Sequence, residues 1–163
     1  MSVNARPIEG RTTAASEGGV VVFLIGMRIN SFVAMRSWWP VARAMGPMLK
    51  ELTQDPDSGL LGYRPLLAGP REVQLVQYWE SAEKLLAYAA APDRNHHPAW
   101  SAFNRRLREG RGKVGFWHET YVVPAGAYES IYMNMPESGL GKAKGVTPVT
   151  PRGNRAATRL HIS

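Results

Sequence analysis

Between residues 20 and 30, large apolar side chains fall on every second position: Val21, Phe23, Ile25, Met27 and Ile29. A two-residue period puts these on one face of a β-strand and Val20, Val22, Leu24, Gly26, Arg28 and Asn30 on the other. The second set begins apolar and ends polar, the profile of a strand whose second face borders a cavity or of one whose last residues, Arg28 and Asn30, reach solvent. Further along, the period lengthens. Val41, Met45, Met48, Leu49 and Leu52 recur at helical spacing, with Ser37 placed to cap a helix opening at Trp38 and Pro40 in its first turn. Gly46 and Pro47 fall inside that pattern and should kink or split the helix. Asp55-Pro56-Asp57-Ser58-Gly59 is a turn cluster.

Strands are predicted over 60–67 and 72–79, joined through Pro70 and Arg71. Ser81 opens a helix that runs to about residue 90, and Pro92-Asp93 breaks it. Pro98 starts another helix carrying Trp100, Phe103 and Leu107, which ends at Gly110-Arg111-Gly112. A fourth long strand spans 113–123, and 127–134 is a fifth candidate. The order strand, helix, strand, strand, helix, strand is the split βαβ pattern of a ferredoxin-like α+β sandwich. Helices cover one face of such a sheet. The other face is too apolar here for water: in the fourth strand Val114, Phe116 and Val122 lie on one side and Trp117, Tyr121 and Val123 on the other. A second copy of the chain is the simplest cover, so a homodimer is expected.

Composition narrows this picture. The chain has 163 residues, 44% of them hydrophobic and 20% charged, enough for one domain with a real core. No apolar run reaches the roughly 20 residues of a membrane span. The N-terminal residues lack the apolar stretch of a secretory signal. Without cysteine there are no disulfides, thiol nucleophiles or thiolate ligands, which fits a cytoplasmic protein. The net charge is +7, but residues 141–163 supply five of those charges through Lys142, Lys144, Arg152, Arg155 and Arg159, with no acid among them. That distribution argues against a specific nucleic-acid face and for a basic flexible tail. Residues 1–18, polar and ending near Gly18-Gly19, read as a disordered leader, which leaves 19–140 as the domain.

The chemistry-bearing residues cluster late. His96, His97, Trp100, Trp117 and His118 fall within a short stretch. His118 sits mid-strand with Phe116 and Thr120 on its face and Trp117, Glu119 and Tyr121 opposite. It is expected to be buried, facing the cavity bordered by Gly26, Arg28 and Asn30. Its ring could serve as a general base, a haem ligand or a hydrogen-bonded core member. His97 precedes Pro98 and so stands at a helix entrance, either as a functional group or as a cap. A metal site is not expected: there is no His-x-His, no His-Glu-x-x-His and no acidic cluster, and His118 and Glu119 point to opposite faces. Phosphate loops and nucleophile elbows are absent as well.

Several segments together resemble a known family. They are Val22-Phe23-Leu24-Ile25-Gly26-Met27-Arg28-Ile29-Asn30, Gly59-Leu60-Leu61-Gly62, Gln77-Tyr78-Trp79, His97-Pro98-Ala99-Trp100 with Phe103-Asn104, Trp117-His118-Glu119-Thr120-Tyr121, and Tyr128-Glu129-Ser130-Ile131-Tyr132 with Asn134-Met135-Pro136. The set is similar to a monooxygenase-like family of uncharacterised bacterial and fungal proteins in the dimeric α+β barrel superfamily. The resemblance runs over about 20–142. It implies a two-fold dimer and oxygenation of a small apolar or aromatic metabolite, without a cofactor. In that reading Asn30 and Arg28 bind or polarise a substrate oxygen. Gly26, Trp79, Trp100, Trp117 and Tyr121 border the substrate, and His118 or His97 handles protons. The haem-degrading branch of the superfamily uses an Asn, a Trp and a His in an order similar to Asn30, Trp79 and His97, although His97 follows Trp79 at wider spacing here. Haem, with His97 or His118 as axial ligand, is therefore the alternative cofactor. A non-catalytic, ligand-binding dimer is the third reading.

Overall fold

The computed structural model describes residues 5–15, 18–91, 112–150 and 155–160. His96, His97 and Trp100 lie outside the described residues, as does the helix expected to open at Pro98.

The alternating segment at 20–30 forms the long strand β2 (Val20–Ile29), after a short β1 (Ile8–Ala14). Then come α1 (Met35–Gln54), a 3-10 turn (Pro56–Ser58), β3 (Leu60–Gly69), β4 (Glu72–Trp79) and α2 (Ala82–Ala90). The chain continues as β5 (Val114–Val123), β6 (Tyr132–Met135), α3 (Gly139–Lys144), β7 (Val146–Pro148) and α4 (Ala156–Arg159). Four strands make one sheet in the order β3-β4-β2-β5, every neighbouring pair antiparallel. This is the ferredoxin-like α+β arrangement: β4 returns between the two strands that α1 connects, and β5 pairs on the far side of β2.

Register fixes the two faces. Ile25 pairs with Leu75 and His118, and Gly26 with Gln74 and Trp117. The odd residues of β2 therefore face the helices. Val21, Leu52, Trp79 and Leu85 form one core cluster there, with Phe23, Leu60, Ala82 and Tyr88 packed around it. Met27 and Val114 form a second with Ile29, Trp38, Val41, Ala42 and Phe116. Ser81 caps α2 as expected, its hydroxyl accepting from the Lys84 N–H at 3.2 Å.

The first helix departs from the sequence reading. It opens at Met35 rather than Trp38, with Ala34 at the cap position and no side-chain cap. It also runs unbroken through Gly46 and Pro47. Both of these residues are exposed, so the carbonyl left without a donor by Pro47 can be solvated instead of being buried unpaired.

The two ends of the chain depart further. Residues 1–18 and 141–163 were expected to be flexible, yet β1 lies between β6 and β7 in a second, three-stranded sheet. The segment 141–150 has little apolar surface, but backbone pairing compensates. Ala15 N–H donates to the Gly145 carbonyl at 2.9 Å, and Val149 N–H to the Arg11 carbonyl at 3.0 Å. Leu140 is buried, Gly141 N–H donates to the Tyr132 hydroxyl at 2.9 Å, and Lys144 Nζ reaches the Gly19 carbonyl at 2.9 Å. Arg159 on α4 binds Glu129 through Nε at 2.9 Å and a terminal nitrogen at 2.7 Å. Helix α3 packs on the face of the main sheet away from α1 and α2, against Gly62 and the Tyr78 hydroxyl. The chain itself thus covers part of the face for which only a partner copy had been expected. Burial beneath α3 raises the Tyr78 phenol above its ordinary pKa.

Candidate functional site

On the face away from α1, the end of β2 gathers a polar and aromatic cluster. Arg28 pairs with Glu72 across strands, and Gly26 lies between Gln74 and Trp117. The Trp117 indole N–H donates to Glu72 Oε1 at 3.0 Å, and Gln74 Nε2 to the same oxygen at 3.3 Å. Arg28 approaches the other oxygen at 3.4 Å. Donation from Trp117, then Gln74 and Arg28, stabilises the charged form and holds the Glu72 carboxyl below its usual range. Trp117 lies so close over Gly26 that any side chain at residue 26 would meet the indole. Three of the residues expected in the site, Gly26, Arg28 and Trp117, are therefore together. Tyr121 is on the same face, its hydroxyl donating to Glu119 Oε2 at 2.7 Å, a contact that raises the phenol pKa.

Asn30 is exposed beyond the strand end. Its Nδ2 donates to the Gly112 carbonyl at 2.8 Å, anchoring the chain that enters β5.

His118 and Trp79 are on the opposite, helix-side face. His118 is exposed rather than buried, with its ring 5.7 Å from Phe23 and 6.1 Å from Phe116. It cannot share a cavity wall with Gly26, Arg28 and Asn30, because the register sets it opposite Ile25. Trp79 is 0% exposed, with its indole N–H donating to Gln77 Oε1 at 2.8 Å and its ring 5.7 Å from Tyr88. It belongs to the core between sheet and helices.

A cavity of about 410 Å³ also lies on this side, between α1 and the sheet. Val41, Ala42, Met45 and Leu49 line it from α1, and Ile25, Met27, Leu75 and Phe116 from the sheet. The turn-proximal ends of β3 and β4 add Leu67 and Val73, both exposed at its mouth. Gln74 is the one polar residue among the described lining, and its side chain turns to the other face to bond Glu72. A space of this kind takes up apolar molecules by desolvation and offers few directional contacts. This cavity lies on the side of the sheet away from Arg28. Glu72, Gln74 and the α1 lining were not foreseen as site residues. Alternation and pairing with Arg28 could have flagged Glu72, and the four-residue spacing of Val41, Met45 and Leu49 marked the cavity wall but reads equally as core.

Kinship is shown by sequence, and the solved structures add a likeness of fold. Residues 20–140 match a family described as Monooxygenase af470-like. The curated protein Monooxygenase af470 of Aspergillus fumigatus is 27% identical over 164 residues, covering 88% of this chain and 57% of its own length. The chain therefore spans little more than half of that relative. Among solved structures, the aldoxime dehydratase OxdRE in complex with butyraldoxime superposes with a TM-score of 0.64 at 15% identity, over 95% of this chain and 43% of that one. That likeness is one of fold.

Proposed function

The chain belongs to the Monooxygenase af470-like family, and from that premise we propose that it is a monooxygenase acting on a small apolar or aromatic molecule held between α1 and the sheet. The observation that carries this reading is the 410 Å³ cavity and its almost wholly apolar described lining. An apolar enclosure concentrates both a hydrophobic substrate and molecular oxygen, and it keeps water from a reactive intermediate. In this reading the substrate itself reduces oxygen: one oxygen atom enters the substrate and the other leaves as water, with no resident cofactor.

Proton removal falls to His97, because His118 is outside the described lining, its ring centre 6.1 Å from that of Phe116. The cluster of Gly26, Arg28, Glu72 and Trp117 then braces the sheet from behind. The apolar strip around it, with Tyr121, is the contact surface of a homodimer.

Haem is the alternative. Among the described residues no imidazole lines the cavity, and the exposed His118 stands outside the lining beside Phe23 and Phe116. Axial ligation by His118 does not fit, and the haem reading rests on His97 alone. One observation favours the non-catalytic reading: the one polar residue of the described lining, Gln74, directs its side chain to Glu72 on the other face. Native mass spectrometry of the purified protein, paired with oxygen-electrode assays on phenols and quinols, separates the three. Oxygen uptake with no Soret band supports the proposal. A bound apolar molecule without oxygen uptake supports a binding module. A Soret band overturns cofactor independence.

A further inference from the structure

We propose that the end of the molecule bearing Phe32, Val33, Met35 and Trp39 is a docking surface for anionic lipid bilayers. These four residues are all exposed, Val33 at 97%. They are contiguous in the loop after β2 and the first turns of α1. The loop is held in place. Arg71 donates to the carbonyls of Ile29 at 3.3 Å and Asn30 at 3.1 Å, and its guanidinium stands 4.6 Å from the Phe32 ring centre. Trp38 Nε1 donates to the Phe32 carbonyl at 3.3 Å. A braced loop presenting aromatic and aliphatic side chains to water is the form of an interfacial anchor.

Charge selects the partner. From Ile29 to Lys50 the chain carries Arg36, Arg43 and Lys50 and no acidic residue, while Arg28 before them is paired with Glu72. Arg36, Arg43 and Arg71 are exposed around the patch. Basic groups flanking apolar anchors match the negative surface of an anionic leaflet, where long arginine stems lie along acyl chains and their heads meet phosphates.

The same end of the sheet carries the cavity mouth. Leu67 pairs with Val73 next to the turn that Arg71 ties to the Phe32 loop. Docking there would let an apolar molecule pass from bilayer to cavity without crossing water. That last consequence rests on the proposed function, whereas the docking does not.

Flotation of the full chain with phosphatidylcholine vesicles, with and without phosphatidylglycerol, tests the docking. The protein is expected to float with the anionic vesicles and to stay down with the neutral ones. The double substitution Phe32→Ser, Val33→Ser leaves the charge unchanged and should weaken flotation by about tenfold or more. Equal flotation of this variant would assign the attraction to the basic chain end and overturn the proposal, as would no flotation of the parent. Light scattering completes the test: if the serine variant changes oligomeric state, the patch joins copies of the chain and the lipid assignment fails.

Discussion

Trp117 lies over the bare α-carbon of Gly26, so close that a methyl group at residue 26 would clash with the indole. The two are cross-strand partners, and the indole position is fixed by its bond to Glu72. Gly26→Ala must therefore displace Trp117 and break that bond. A loss of roughly 1–3 kcal/mol is expected from such overpacking. Denaturant unfolding measures it. In a double-mutant cycle Trp117→Ala should remove most of the cost, and additive losses would contradict the contact.

Acid stability should report Glu72. Its folded pKa is depressed, so its contribution is present above the unfolded carboxylate pKa and is lost as pH falls through the folded value. Glu72→Gln should flatten the acid limb of a melting-temperature profile below about pH 4 and leave the slope near neutrality unchanged. An unchanged acid limb would remove Glu72 from the account.

Alternation along 20–30 and 113–123 made the main sheet legible. A strict two-residue period cannot be satisfied by a helix, and the split βαβ order leaves few ways to pair the strands. The residues sharing each face were equally legible: His118 with Phe116, Trp117 with Tyr121. What the period could not supply was the face from which a helix stands away to leave space. That depends on how closely α1 approaches, a tertiary outcome of side-chain sizes at Ala42 and Met45. The small sheet was hidden for another reason. Ile8–Ala14 contains Glu9, Gly10 and Arg11, and its partners are Tyr132–Met135 and Val146–Pro148, far away along the chain. Its pairing is carried by backbone groups, which leave little trace in side-chain pattern.

Truncation after Lys142 should destabilise the protein. It removes β7, the Ala15–Gly145 and Val149–Arg11 bonds, Lys144 on the Gly19 carbonyl, and the Arg159–Glu129 pair. At roughly 0.5–1.5 kcal/mol per hydrogen bond the loss should exceed about 2 kcal/mol. The melting temperature should then fall by more than about 4 °C. A calorimetric scan within about 2 °C of the parent would show that the tail only touches the body.

Ala42 lines the cavity beside Met45 and packs on the second core cluster. Ala42→Phe should fill the space and weaken an apolar fluorescent probe by about tenfold or more, at a stability change within about 2 kcal/mol. A probe that binds this variant as tightly as the parent is seated elsewhere.

The position of β1 between β6 and β7 bears on the order of events during synthesis. The strands of the main sheet emerge from the ribosome in sequence and can pair as they appear. Residues 8–14, made before every strand of the main sheet, have no lateral neighbour until residue 135 has been added and no second one until residue 148. Until then an early strand with two bare edges waits, open to pairing with other nascent chains. Slowed elongation between β5 and β7 would lengthen that exposure, so yield in expression should respond to codon choice over residues 124–148 more than over residues 20–79.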